Sequence, residues 1–342
     1  MKKILITGSL GYIGSVLTKY LTEKGYECHG VDVGFFKDCK LTDTSDDDTI
    51  IQDVRECKED FIKKMDAVIH LAGIANDPLG NLTPEKVYDP TREYTKNIAK
   101  ICKKNNIKFI FPSSCSVYGV GSNNLLNEQS EVNPQTPYSL NKLQIENDLI
   151  DLSGDGFYPI MLRFATVFGI SPRMRFDIVI NMLTAMAITS KNIILNSDGM
   201  SWRPNVHISD VCNAFKNAIE YENYDEPLVL NIGNSKNNFK IIDLANIIKN
   251  NIPGCTINFL KDKPELDKFK FIQDRKVNDG IDKRTYKIDF SKIENNFKNF
   301  KCKTSVEEGI KNMMQYFKEI ELSEKQFKNR DFYRLQKLEE LY

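Results

Sequence analysis

Histidine and tryptophan are scarce: His29, His70 and His207 are the only histidines, and there is one tryptophan in 342 residues. No two histidines stand at metal-ligand spacing, and the eight cysteines form no C-x-x-C pair, which argues against a zinc site or a di-metal hydrolase. His70 and His207, each at the end of an apolar run, read as structural. Neither charge is in surplus, since 47 Lys and Arg balance 47 Asp and Glu. Proteins that bind nucleic acid need excess cations to displace counterions, so no such partner is expected. No apolar run approaches the ~18–20 residues of a membrane span. Lys2 and Lys3 ahead of Ile4-Leu5-Ile6 imitate a signal peptide, but Thr7, Gly8, Ser9 and Gly11 break the run at once. The scattered thiols (Cys28, Cys39, Cys57, Cys102, Cys115, Cys212, Cys255 and Cys302) fit a reducing compartment, and the expectation is a cytoplasmic chain.

What is present points to an α/β fold. With 41% hydrophobic residues the chain can bury a large core. Short β-branched runs at 2–6, 27–31, 67–71, 108–111 and 159–164 alternate with helical spacing at 12–23, 84–104 and 137–152. Several of the strands are apolar throughout, as in a parallel sheet covered on both faces. This predicts a doubly wound Rossmann sheet over 1–168, with later returns to it. Beyond 169 the pattern loosens: helices at 179–189, 211–221 and 241–250, a strand at 228–232, loop with short elements over 260–284, and surface helices at 306–319 and 330–341. Residues 169–342 read mainly as a smaller C-terminal α/β substrate-binding lobe at the sheet's C-terminal edge.

Directly after the first strand, Thr7-Gly8-Ser9-Leu10-Gly11-Tyr12-Ile13-Gly14 opens a helix. The glycines Gly8, Gly11 and Gly14 permit a tight turn and a close approach of a pyrophosphate to the helix N-terminus, with Tyr12 and Ile13 beginning the helix. Asp32 ends the next strand, where a carboxylate accepts both ribose hydroxyls and repels a 2′-phosphate; the cofactor predicted is NAD rather than NADP. Asp53-Val54 stands where a carboxylate can meet the adenine amino group, and Leu71-Ala72-Gly73 leaves room beside the cofactor.

Tyr138 and Lys142 stand at i and i+4, on one face of a predicted helix. Ser113 and Ser114 follow the fifth strand, at the same sheet edge. A phenol near pKa 10 is a poor base. A neighbouring ammonium and a positive nicotinamide ring lower that value, so Tyr138 can take a hydroxyl proton as hydride leaves the carbon.

These features together make the chain resemble the extended short-chain dehydrogenase/reductases of the NAD-dependent epimerase/dehydratase family, which act on nucleotide-activated sugars. The matching segments are 7–14, Asp32, Asp53-Val54, 70–73, 113–119, 138–142, 163–169 and 203–210. The resemblance implies a catalytic triad of Ser114, Tyr138 and Lys142, and cofactor contacts from Ser113. It also implies a C-terminal lobe that binds a nucleotide-diphosphate sugar, and a homodimer formed by a four-helix bundle of 84–104 and 137–152. Arg203 falls where the family clamps the substrate pyrophosphate, which suits a bidentate guanidinium. Asn181 matches a diphosphate contact. Arg173, Arg175 and Arg284 are candidate anion contacts, and Asn76 and Asp77 border the sugar. Thr166 replaces the family's usual Asn.

One departure concerns the reaction. Family 4,6-dehydratases carry an Asp-Glu pair after the catalytic hydroxyl residue, and here those positions are Cys115 and Ser116. Ordinary dehydration is therefore not expected, unless Cys115 serves as a substitute acid or base. The leading expectation is a nucleotide-sugar epimerase working through transient oxidation at C4. The alternatives are a dehydrogenase releasing a 4-keto sugar, a C5/C6 dehydratase using Cys115, and a non-catalytic NAD-binding sensor or scaffold.

Overall fold

Seven parallel strands form the central sheet: β1 Lys3–Thr7, β2 Glu27–Asp32, β3 Thr49–Ile51, β4 Ala67–His70, β5 Lys108–Ser114, β6 Ile160–Phe164 and β7 Leu228–Ile232. Their order is β7-β6-β5-β4-β1-β2-β3. The winding reverses between β1 and β4, and ligands of such sheets bind in the crevice beyond the strand ends at that point. The computed structural model describes residues 1–43, 49–75, 83–222, 224–262, 284–298 and 300–340.

The pleat sends alternate side chains to two separate cores. Ile4, Ile6, Ile69, Ile110 and Leu162 face one side, where Leu17 and Leu21 of α1 (Tyr12–Glu23) meet them. Leu5, Val68, Phe109 and Met161 face the other. There they meet Ile98 and Cys102 of α2 (Pro84–Lys104) and Ile145 and Leu149 of α3 (Pro137–Leu152). The start of α3 is fixed locally. Thr136 and Ser139 form a capping box and Pro137 occupies the first turn, which sets the entry of the helix that carries Tyr138 and Lys142.

The smaller lobe gathers α4 (Val179–Ser190), α5 (Ile208–Glu220, which also covers the sheet), α6 (Ile241–Asn250) and α7 (Val306–Glu319). It adds a parallel strand pair, Asn192–Leu195 with Thr256–Phe259, and a three-stranded sheet of Thr166–Phe168, Trp202–His207 and Asn238–Lys240. Its core includes Phe176, Leu183, Ile194, Leu244, Ile310 and Phe317. Most of the expected loop at 260–284 lies outside the described residues.

The C-terminal helices are not surface elements. Ile310, Met313 and Phe317 of α7 are buried. The expected helix at 330–341 is a 3-10 turn, Arg330–Phe332, followed by α8 (Arg334–Glu339). The Phe327 and Phe332 rings pack 5.3 and 5.5 Å from Phe176. Periodicity reveals such an apolar stripe but not what it covers. Among the described residues no helix is long and apolar enough to cross a membrane.

Candidate active site

A cleft of about 1050 Å³ opens beyond the C-terminal ends of the sheet strands. Its floor is the glycine turn. Gly8 has φ +74°, and a Cβ there would stand 2.7 Å from the Ala72 amide nitrogen. A Cβ on Gly14 would stand 2.2 Å from the Gly8 carbonyl oxygen. Gly11 caps α1 with no side-chain bond, leaving first-turn amides to whatever occupies the cleft. The Asp32 carboxylate accepts from the Leu10 and Gly34 amides at 3.0 and 2.7 Å and lines the cleft. Burial raises its pKa, with those amides, Arg173 and Arg334 pulling the other way. Val54 and Asp53 form the next stretch of wall, where Arg55 pairs with the Asp53 carboxylate at 2.5 Å and holds its pKa low. Leu71, Ala72 and Gly73 complete it, steadied by Thr7 Oγ1, which accepts from the Ala72 amide at 3.1 Å. His70 lies beneath, bonded to Thr7 at 2.9 Å and Thr95 at 3.1 Å. Burial pushes its pKa down to about 3, so it is a neutral structural histidine.

At the other end, Ser113 and Ser114 are the last residues of β5, with Tyr138 and Lys142 beside them on the cleft wall. Lys142 Nζ donates to the Pro112 carbonyl at 2.7 Å and lies 4.4 Å from the Phe111 ring centroid and 5.8 Å from that of Tyr138. Burial pushes its pKa down to about 7, and the Glu146 carboxylate opposes that shift. Ser114 Oγ accepts from the Ser116 amide at 3.1 Å. A buried network backs this wall. Ser113 donates to Glu146, Glu146 pairs with Arg163 at 2.6 Å, and Arg163 donates to the Tyr118 hydroxyl at 3.0 Å.

A family profile described as "NAD dependent epimerase/dehydratase family" matches residues 4–233. The chain belongs to this family. A putative UDP-glucose 4-epimerase of Methanocaldococcus jannaschii is 27% identical over 325 residues, covering 92% of this chain and 98% of that protein. A UDP-glucuronic acid 4-epimerase from Bacillus cereus, solved with UDP-glucuronic acid and NAD, superposes with a TM-score of 0.75 at 25% identity, covering 93% of this chain and 99% of that one. The fold is shared with an NAD-dependent NDP-hexosamine 5,6-dehydratase of tunicamycin biosynthesis, with a TM-score of 0.78 at 20% identity over 93% of this chain and 98% of that one. The chain is thus an NAD-dependent enzyme of the extended short-chain dehydrogenase/reductases. The glycine cradle, the uncapped start of α1 and Asp32 in the same cleft fit that dinucleotide.

Three candidates for this epimerase/dehydratase chemistry turn away from the cleft. Cys115 begins the 3-10 turn after β5 and is 1% exposed. Its thiol donates to the Arg163 carbonyl at 3.2 Å within the core, and burial pushes its pKa up. Arg173 is buried beneath the loop after β2, where it donates to the Phe36 and Lys37 carbonyls at 3.2 and 3.1 Å. Asn181 is fully buried as a brace: its oxygen accepts from the Gly169 amide at 3.0 Å, and its nitrogen donates at 3.1 Å to the Tyr12 hydroxyl and to the Arg175 carbonyl. Tyr12 in turn donates to the Gly169 carbonyl at 2.7 Å, tying the cofactor helix to the smaller lobe. Asn76 and Asp77 lie outside the described residues. Thr166, Arg175, Arg203 and Arg284 do line the cleft. Arg175 pairs with Asp177 at 2.9 Å and donates to the Ala75 carbonyl at 3.1 Å, while Arg203 donates to the Arg284 carbonyl.

The sequence reading gave no role to four residues in or behind the cleft wall. Glu146 continues the i, i+4 face of Tyr138 and Lys142 by one more turn, a spacing that was available to find it. Ser116 is 5% exposed and lines the cleft, with a hydroxyl that has no hydrogen-bond partner among the described residues. The C-terminal segment adds Tyr333 and Arg334 to the wall, and no local pattern announces that.

Proposed function

We propose that this enzyme is a nucleotide-sugar 4-epimerase that works through transient oxidation at C4 by Ser114, Tyr138 and Lys142. The observation that carries the reading is the common wall formed by these three residues in the cleft that also holds the glycine turn and Asp32. NAD, when bound, supplies the hydride acceptor for C4 and the donor for its return. Tyr138 Oη takes the proton of the C4 hydroxyl, and Ser114 Oγ holds the same oxygen by a hydrogen bond. The Lys142 ammonium, 5.8 Å from the Tyr138 ring, favours the phenolate, and Glu146 helps to keep that ammonium charged. The 4-keto sugar then presents its other face, and Tyr138 returns the proton.

Arg203 and Arg284 are assigned to the substrate pyrophosphate, for which guanidinium forks are suited. Thr166, Arg175 and the Ser116 hydroxyl are assigned to the sugar. Elimination across C5 and C6 is disfavoured, because the thiol of Cys115 points into the core. Helices α2 and α3 are assigned to a homodimer. Incubation with UDP-glucose, UDP-glucuronic acid, UDP-N-acetylglucosamine and their GDP, CDP and dTDP counterparts, with products read by NMR, tests the proposal. C4 epimers from at least one donor are expected, and none from Tyr138→Phe. A Tyr138→Phe protein with full turnover contradicts it.

A further inference from the structure

Arg334 enters the cleft from the far end of the chain. It opens α8 and is 5% exposed, with its guanidinium carbon 3.9 Å from the ring centroid of Phe36. Its side-chain hydrogen bonds are long: 3.5 Å to the Arg173 carbonyl and 3.4 Å to the Asp331 carbonyl. Among the described residues no carboxylate forms an ion pair with it. Asp177 accepts only from its backbone amide, at 3.3 Å, and is already committed to the Arg175 guanidinium. Two further cations, Arg175 and Arg173, act on it electrostatically as like charges, and the Asp177 carboxylate acts in the opposite sense without pairing with it. A guanidinium held out of water among like charges is costly unless an anion arrives to meet it.

The position narrows which anion that is. Phe36 lies in the loop that follows Asp32, and Arg334 is close enough to the Asp32 carboxylate to act on it electrostatically. Gly11, Tyr12 and Ile13, at the uncapped start of α1, line the same cleft. An anion lying between the Asp32 end and the start of α1 matches the pyrophosphate of the dinucleotide. Arg203 and Arg284 line the same cleft, so the substrate's phosphates are the competing reading, which titration with UDP separates.

We propose that Arg334, carried in by the C-terminal segment 323–340, supplies a cationic contact to the cofactor's pyrophosphate, so that this segment holds the cofactor between turnovers. The proposal rests on the family's NAD dependence and not on which sugar is turned over. The segment is anchored well enough to serve: Ser323 and Gln326 form a capping box, Tyr333 donates to the Phe327 carbonyl at 2.8 Å, and Phe332 packs on Phe176.

Calorimetric titration of cofactor-stripped protein with NAD, ADP-ribose, adenosine and UDP tests the contact without using turnover. Arg334→Met removes the charge but keeps much of the buried volume. It is expected to weaken NAD and ADP-ribose about 10- to 100-fold, the range of a charge-assisted hydrogen bond, and to leave adenosine and UDP unchanged. Arg334→Lys keeps the charge without the fork and is expected to lose less. It carries the same comparison should the methionine protein fail to fold. Unchanged ADP-ribose affinity in the variants overturns the proposal. So does equal weakening of adenosine, which marks a structural role, or a loss confined to UDP, which marks the substrate's phosphates.

Discussion

Tyr138 and Lys142 show how far single residues are legible. Their spacing and the preceding Ser113-Ser114 are visible in the sequence because a helix face and a strand end are local features. The burial that pushes Lys142 down to about 7 is not, because it comes from β5 and the Phe111 ring. Tyr138→Phe is expected to lower turnover by about 10²- to 10⁴-fold while NAD binding persists, measured by product NMR beside a cofactor titration. Cys115 marks the limit of the sequence reading. Its polarity and position suggest chemistry, yet the 3-10 turn after β5 rotates it onto the core face, and no local signal fixes that rotation. Cys115→Ala is expected to leave the pH profile and turnover within about twofold, since a thiol that does not reach the cleft has nothing to donate there. A selective loss of product formation would return the thiol to the mechanism.

Among the elements, α1 and α3 carry most of the account. Helix α1 is legible because its glycine turn has one geometric solution: at Gly14 any side chain meets the Gly8 carbonyl. Gly14→Ala is therefore expected to abolish NAD retention on desalting and to lower the melting temperature. Helix α3 joins Tyr138, Lys142 and Glu146 on one face, and Glu146 is also half of a buried ion pair with Arg163. Breaking such a pair costs about 3–5 kcal/mol, so Glu146→Gln should lose that much in denaturant unfolding. It also removes the group that raises the Lys142 pKa. The ammonium should then lose its proton at lower pH, moving the alkaline limb of the activity profile downward. An unmoved limb would detach Glu146 from the lysine.

Across the whole molecule, the Rossmann sheet was legible and the C-terminal wall of the cleft was not. Alternating strands and helices encode the sheet in short-range patterns, while the seating of 323–340 against Phe36 and Phe176 depends on contacts across more than a hundred residues. Acid stability is another global property. His70 and His207 have pKa values pushed down by burial to about 3 and about 4. Below the unfolded value near 6.5 the unfolded chain takes protons that the folded chain refuses. Each histidine therefore removes ~1.4 kcal/mol of stability per pH unit as pH falls from 6.5 toward its folded value. His70→Asn should flatten that slope in chemical unfolding between pH 6.5 and 4. Assembly belongs at this scale as well: Leu140 on α3 is 46% exposed, and if the proposed homodimer forms through α2 and α3, Leu140→Glu is expected to make it sediment as a monomer.

The most direct measurement follows the hydrogen at C4. A nucleotide sugar deuterated at C4 and incubated with the enzyme in ordinary water is predicted to give the C4 epimer with its deuterium still at C4, because the hydride removed is the hydride returned. An epimer that has exchanged its C4 deuterium for solvent hydrogen, or a product that has lost water across C5 and C6, would contradict the account.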